Sequence, residues 1–545
     1  MAYSRPGVYI TEGPFSTTVP VGPQVTPAAF LGTTARGPVE PIRIDSWNQY
    51  KTIYGDLTNS SQLGYAVYHF FANGGRTAYV TRVAASAAVK AKSGAITGTI
   101  AGGSTATLFK VEANNKGTWA NWTANSATVS GTTNEKGLRV TVTAGQRNGT
   151  AESLGGTGTP RTFNLGVWYN GAEVERWTEV SLDPDSTQYI PTIINNYSTY
   201  IKVVDIDAGL TAGVAYTITT ASGDYTTGAV GAGHYSLGDT TQSGDIDGTD
   251  GSVADADWTN ALNSLDTVAG SLLINLVGQS SATRVNAALT YAEARGNGFV
   301  IIDPDPARTS ATGDSGIKTL TDSYNKSSYG AVYYPMIKMP DPARSGTATL
   351  RDTYPGGALA GLFSRVEQER TVAKAPAGYG YELRNAFGLS TNFIDSQIGI
   401  LYDGHVNVLK VVPGGGIIVN GARTLKRTDI TKFVPVRRTL NFIKSNVDTI
   451  AGYSVFEPNG ERVWTDINTR ISRFLSDLWA AGGLKGRNAT EAFYIICDAT
   501  NNPSYSVENG ELHVEVGVAL QAPAEFIIIN ISQFAGGSST AAEAV

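Results

Sequence analysis

The chain has 545 residues, 41% of them hydrophobic and 16% charged, with a formal net charge of −6. At about 150 residues per domain this length implies three or four domains, each able to bury a core without disulfides or metals. The hydrophobic content excludes disorder over most of the chain, the acidic balance argues against a dedicated nucleic-acid binder, and the one cysteine, Cys497, excludes an intramolecular disulfide or a cysteine-based zinc cluster.

Residues 1–27 hold Pro6, Pro14, Pro20, Pro23 and Pro27, a density no helix survives. Between the prolines, Val8, Tyr9, Ile10, Thr11 and Glu12 form a short β-branched and aromatic run that reads as a lone strand on an arm. Such an arm has no second face to bury, so it must pair with its own body or with something else. Residues 28–84 are compact: a strand over Ala29–Gly32, a helix Trp47–Tyr54 with a Ser46/Gln49 capping box and a Gly55 stop, a helix carrying Leu63, Val67, Phe70 and Phe71 up to Gly74-Gly75, and a strand Thr77–Val83.

Residues 85–260 are rich in Thr, Gly, Ala and Ser, with short alternating runs such as Gly137–Val142 and Leu165–Tyr169, and predict an all-β, outward-facing insertion. Residues 261–420 alternate: strand Leu272–Val277, helix Ala282–Arg295, strands Phe299–Asp303 and Ala331–Ile337, and a helix bearing Leu359, Phe363 and Val366, an α/β pattern. In 421–522, Val436, Leu440, Ile443, Val447 and Ile450 mark one amphipathic helix, and Trp464, Ile467, Ile471, Phe474, Leu475, Leu478 and Trp479 a second. Ala492–Cys497 and Leu512–Leu520 read as strands. In the last segment, 523–545, Phe526, Ile527, Ile528, Ile529, Asn530 and Ile531 form a second β-prone arm, followed by a disordered-looking tail. The fold class is therefore mixed α/β and α+β, multidomain, with strand-competent arms at both ends.

Three patterns imitate chemistry. Gly313-Asp314-Ser315-Gly316 is similar to a protease nucleophile segment, but Ile317 stands where a further Gly is required and no His lies in a matching segment; Ser315 reads as a helix N-cap. Asp239, Asp245, Asp247, Asp250, Asp255 and Asp257 cluster in a Gly-rich loop, yet Thr249 and Asp250 break the calcium-loop spacing. Gly414-Gly415-Gly416 lacks the further Gly of a dinucleotide fingerprint. His69, His234, His405 and His513 form no close pair, Cys497 reads as a structural thiol, and Met1–Gly7 lacks the apolar core of a targeting signal. No enzyme activity, metal or cofactor is expected, nor membrane insertion, since no apolar run approaches about 18 residues.

A series of motifs in chain order resembles one family. It runs from Arg5–Glu12, Phe30–Pro38, Phe70–Gly75 and Ala78–Val83 to Ser364–Arg370, Lys374–Ala377, Gly421–Leu425 and Val436–Leu440. Phe456–Asn459 before Trp464, Phe474–Trp479, Glu491–Tyr494, Cys497-Asp498 and Pro523–Ile528 complete it. Together they resemble the sheath protein of contractile phage tails, shared with tailocins and contractile injection systems; 85–260 aligns with nothing, as in that family's variable outer region. The resemblance implies a core built from 28–84 and 421–522 together. It implies helical stacks of six-subunit rings around a tail tube, assembled in the host bacterial cytoplasm, that contract when a baseplate triggers them and need no cofactor. Self, tube, baseplate and tail terminator proteins are the implied partners. Each arm would add a strand to a neighbour's sheet. Arg437, Arg438, Lys444, Arg470 and Arg473 are the expected contacts to the tube or a neighbouring subunit.

Overall fold

The computed structural model describes residues 25–58, 61–100, 103–123, 136–144, 146–147, 150–151, 162–214, 216–218, 233–238, 245–314, 316–343, 350–414 and 416–525. Its centre is an eight-stranded sheet. The strands are β1 (Ala28–Gly32), β2 (Ile42–Ile44), β3 (Ala78–Arg82), β4 (Leu272–Leu276), β5 (Gly298–Ile302), β6 (Gly330–Tyr334), β7 (Val406–Val412) and β8 (Gly416–Asn420), in the order β2-β3-β1-β4-β5-β6-β7-β8. The six inner strands run parallel and the two outermost are antiparallel to their neighbours. Parallel strands need helical crossovers, which cover both faces, so the strands must be apolar throughout. β1, β4, β5 and β6 are buried at every residue.

Residues 28–84, which the resemblance groups with 421–522, also join 272–420 in this sheet. β1 lies beside β4, so 28–82 and 272–420 share one sheet. Composition reports where a chain changes character; it does not report which distant strands pair.

The helices follow their periodicities closely. In α1 (Trp47–Tyr54) Ser46 Oγ accepts from Gln49 N–H, and Gln49 Oε1 returns the bond to Asp45 N–H. α2 (Gln62–Ala72) packs against α4 (Gly356–Glu369) on one sheet face, with α3 (Ala282–Arg295) on the other. α2 and α4 touch backbone to backbone. A Cβ on Gly361 would meet Phe70 O at 2.4 Å, so only glycine fits there. The strand expected over Ala331–Ile337 is two: β6 ends at Tyr334, and Ile337–Pro340 belongs to a separate three-stranded sheet, because Pro335 has no N–H to continue a ladder.

Residues 85–260 carry two four-stranded antiparallel sheets over a core of their own. They are not all-β. Ile190–Tyr197 is a helix, entered through Pro191 and burying Ile190 and Ile194 one turn apart. Chain entry and exit are adjacent: Val89 and Thr249 exchange two backbone hydrogen bonds of 3.0 Å, and Lys92 and Ile246 two more. Arg36 pins this unit to the sheet body, its guanidinium 4.6 Å from the ring centre of Tyr200 and 5.5 Å from that of Tyr169, while Nη2 donates to Thr52 O.

Toward the carboxy end, α5 (Asp395–Asp403) precedes β7, and α6 (Val434–Gly452) and α7 (Glu461–Ala480) form a helical pair. The first half of α6 is buried on every side, with Asn441 Nδ2 donating to Gly298 O. Its second half packs with α7 against an antiparallel hairpin, Phe493–Ile496 with Glu515–Val518.

Candidate functional site: the carboxy-terminal hairpin and the arm roots

Ser315 lies outside the described residues, and the helix Ile317–Asp322 begins after Gly316. Asp250 is occupied by Thr118, accepting from its N–H and Oγ1, and Asp257 by Ser86 and Ala254 N–H. Asp239 lies outside the described residues, and among those described no three metal-ligating side chains converge. His69 is buried on α2 with neither ring nitrogen bonded, and burial pushes it down to about 3. His405 Nδ1 lies 2.8 Å from Thr424 O. Cys497 is buried just past a strand end, its thiol pushed up to about 11 by burial, so it is held as the unreactive thiol. Among the described residues no helix is long and apolar enough to cross a membrane.

One titratable group does perturb the body. Asp303 leaves the end of β5 fully buried, accepting from Gly278 N–H (2.9 Å), Asn275 Nδ2 (3.1 Å) and Gly356 N–H (2.8 Å) at the start of α4. Burial outweighs these bonds and pushes its carboxyl up to about 6. The native state therefore holds this proton more tightly than the unfolded chain. Its stability contribution is full below about pH 4 and is lost as pH rises through about 6, a swing of ~3 kcal/mol. Urea titrations of wild type and Asp303→Asn at pH 5 and 7 are expected to show a component falling with pH in the wild type and absent from the variant. Parallel pH profiles would refute it.

A two-stranded hairpin lies at the carboxy end of the described body. Phe493, Tyr494, Ile495 and Ile496 are all apolar or aromatic, yet each is only half-buried. Among the described residues the strand pairs with Glu515–Val518 alone. A two-stranded ribbon of this length is marginal by itself and relies on packing against α6 and α7.

The predicted contact residues separate. Arg470 and Arg473 are exposed on α7, Arg470 paired with Asp466 at 2.7 Å. Lys444 is half-buried, 3.4 Å from the Tyr329 hydroxyl. Arg437 and Arg438, expected as contacts to the tube or a neighbour, are 2% and 3% exposed within the subunit. Arg437 stacks its guanidinium 4.4 Å from the Tyr329 ring centre, and Arg438 is bonded to Glu367 at 2.8 Å. The donor-strand candidates Val8–Glu12 and Phe526–Ile531 lie outside the described residues. Sequence reading missed the residues that hold the arm roots, Glu367, Arg423 and Tyr402; no local pattern marks them, since their partners are more than 70 residues away.

Residues 251–425 match the family model of the phage tail sheath protein central domain, and residues 427–534 that of the phage tail sheath C-terminal domain, together just over half of the chain. The chain belongs to the phage tail sheath family. Among curated tail sheath proteins, that of Vibrio phage KVP40 is 24% identical over 176 residues, covering 32% of this chain and 25% of the relative. That of Enterobacteria phage T4 is 24% identical over 183 residues, covering 33% and 27%. The matched part thus spans about a quarter of the length of these relatives. Solved sheath structures share the fold. The contracted sheath of the extracellular contractile injection system PVC aligns over 98% of both chains with a TM-score of 0.53 and 18% identity. The sheath tail protein of Listeria innocua aligns over 92% of this chain and 96% of its own, with a TM-score of 0.55 and 12% identity. The central-domain match begins at 251, so residues 85–250 lie outside both matched regions.

Proposed function

We propose that the chain is a structural tail sheath subunit: it polymerises with copies of itself as stacked hexameric rings around a tail tube, and contracts to drive the tube through a target envelope. The match of residues 251–425 and 427–534 to the sheath central and C-terminal domain models supports the reading, together with the strand-forming sequences at 8–12 and 526–531. Val8–Glu12 and Phe526–Ile531 are the donors. A donated strand making roughly four to six backbone hydrogen bonds, each worth about 1 kcal/mol net, gives a joint of several kcal/mol. Bodies can then repack between two arrangements while the joints stay closed. The tube contact must release, which suits the exposed, salt-sensitive charges of Arg470 and Arg473; Lys444 is half-buried against Tyr329, and Arg437 and Arg438 serve the interior instead. Baseplate and tail terminator proteins are the further partners of this reading. Electron microscopy of the purified full-length protein tests it. Tubes or rings support the sheath role, and dispersed monomers at assembly concentrations refute it.

In this reading 85–260 is an outward insertion. Its two connecting segments are already hydrogen-bonded neighbours at Lys92 and Ile246, so a two-residue turn can close the gap. A chain with residues 93–245 replaced by such a turn is expected to keep the body's unfolding transition and to form tubes. Aggregation or loss of assembly, followed by light scattering and microscopy, would make the unit integral to the lattice.

A further inference from the structure

Both arm segments are gripped at their roots by a carboxylate and an arginine. At the amino end Thr26 donates its N–H to Glu367 Oε2 (3.2 Å) and its hydroxyl to Oε1 (2.8 Å). Arg438 donates Nη2 to Glu367 Oε2 at 2.8 Å, and the two side chains are 2% and 4% exposed. At the carboxy end Arg423 holds Glu525 through Nη2 to Oε2 at 2.8 Å, with Nε within 3.3 Å of both oxygens. The Tyr402 hydroxyl donates to the same Oε2, and its ring centre lies 3.6 Å from the guanidinium carbon. Glu367 is 341 residues from Thr26, and Arg423 is 102 from Glu525, so neither grip is a local turn.

The two arginines come from one short stretch, 423–438, and that stretch is itself fixed. Asn407 brackets Arg423, accepting its N–H and donating to its carbonyl at 2.8 Å each. Thr424 N–H reaches Lys432 O, and Val434 N–H reaches Ala422 O, both at 2.8 Å. From Val434 the stretch continues as the buried half of α6. β1, by contrast, begins two residues after Thr26 in the middle of the central sheet.

We propose that residues 423–438 are a tension strap joining the roots of the two arms. The inference rests on the sheath reading: in a lattice linked by arms, every subunit is pulled at both ends. With the clamps closed, tension passes from Thr26 through Glu367 and Arg438 along the stretch to Arg423 and Glu525. The central sheet and the 85–260 unit stand outside that path. Rotation of the bodies during contraction then leaves β1 unstretched.

The test holds the full-length chain by its two ends in optical tweezers and compares wild type, Thr26→Val, Arg423→Met and the double variant. Each single change removes a clamp contact and leaves the cores untouched. The clamps act in series, so the expected result is a lower first-rupture force in at least one single variant, with the double rupturing at the force of the weaker single. Urea midpoints, measured in parallel, are expected not to follow the forces. Unchanged forces in all three variants overturn the strap, as does a double-variant force lowered by the sum of the two singles, the pattern of independent structural losses. Tube formation is scored separately by microscopy. Its absence from the wild type refutes the sheath reading, whereas the rupture forces decide the strap either way.

Discussion

A chain lacking residues 1–20 is expected to fold and melt as the full-length protein does, and to form no tubes. The cores account for the first half. All four apolar clusters draw on residues from Ala28 onward, and the root contact of Thr26 with Glu367 survives the deletion. The donor strand proposed at Val8–Glu12 accounts for the second. If it joins a neighbour's sheet, losing it removes several kcal/mol from one joint of every subunit, and a lattice closed by repeated identical joints does not form when one class of joint is gone. Thermal melting with light scattering reads the monomer, and electron microscopy reads the assembly. Tubes at the wild-type yield would reassign the donor. A lost melting transition would show that the segment completes its own subunit.

The parts of this fold visible in the sequence are those with a local cause. α3 is capped by Ser281, stopped by Gly296 in the left-handed conformation, and buries the four residues its 3.6-residue period selects: Val285, Ala288, Leu289 and Ala292. α7 keeps Trp464, Ile467, Ile471, Phe474, Leu475 and Leu478 inside for the same reason. What depends on distant partners did not show. β1 reads as a strand, but nothing in Ala28–Gly32 says that its neighbour lies about 240 residues on, at Leu272–Leu276. The helix Ile190–Tyr197 was hidden by β-branched isoleucines in β-rich surroundings. Arg437 and Arg438 illustrate the limit for the site. A charged residue is solvated by default, and only the spatial arrival of Tyr329, Phe363 and Glu367 makes a buried place for two arginines. The hairpin Phe493–Ile496 with Glu515–Val518 was readable as two strands, whereas their pairing across about 20 residues was not.

The buried pair Glu367–Arg438 carries the largest stability effect expected of a single side chain here. Its charges lie 2.8 Å apart and almost wholly out of water, and Arg438 also rests 4.7 Å from the Phe363 ring centre. Desolvating two ions costs nearly as much as their attraction returns, so the intact pair contributes little net. Breaking it is another matter. Glu367→Ala leaves the Arg438 guanidinium buried without a counter-charge and Thr26 without its acceptor, and is expected to cost about 3–5 kcal/mol. That is a large fraction of the 5–15 kcal/mol that typically separates folded from unfolded. The double replacement Glu367→Leu with Arg438→Met removes both charges and keeps the volume. It is expected to recover most of the loss, short of the wild type by about 1 kcal/mol for the missing Thr26 bonds. Urea unfolding of the three proteins at pH 7 measures this. A Glu367→Ala midpoint equal to that of the wild type would mean that water reaches the pair. A double variant no better than the single would mean that the carboxylate's grip on Thr26, rather than the buried charge, holds this corner of the body together.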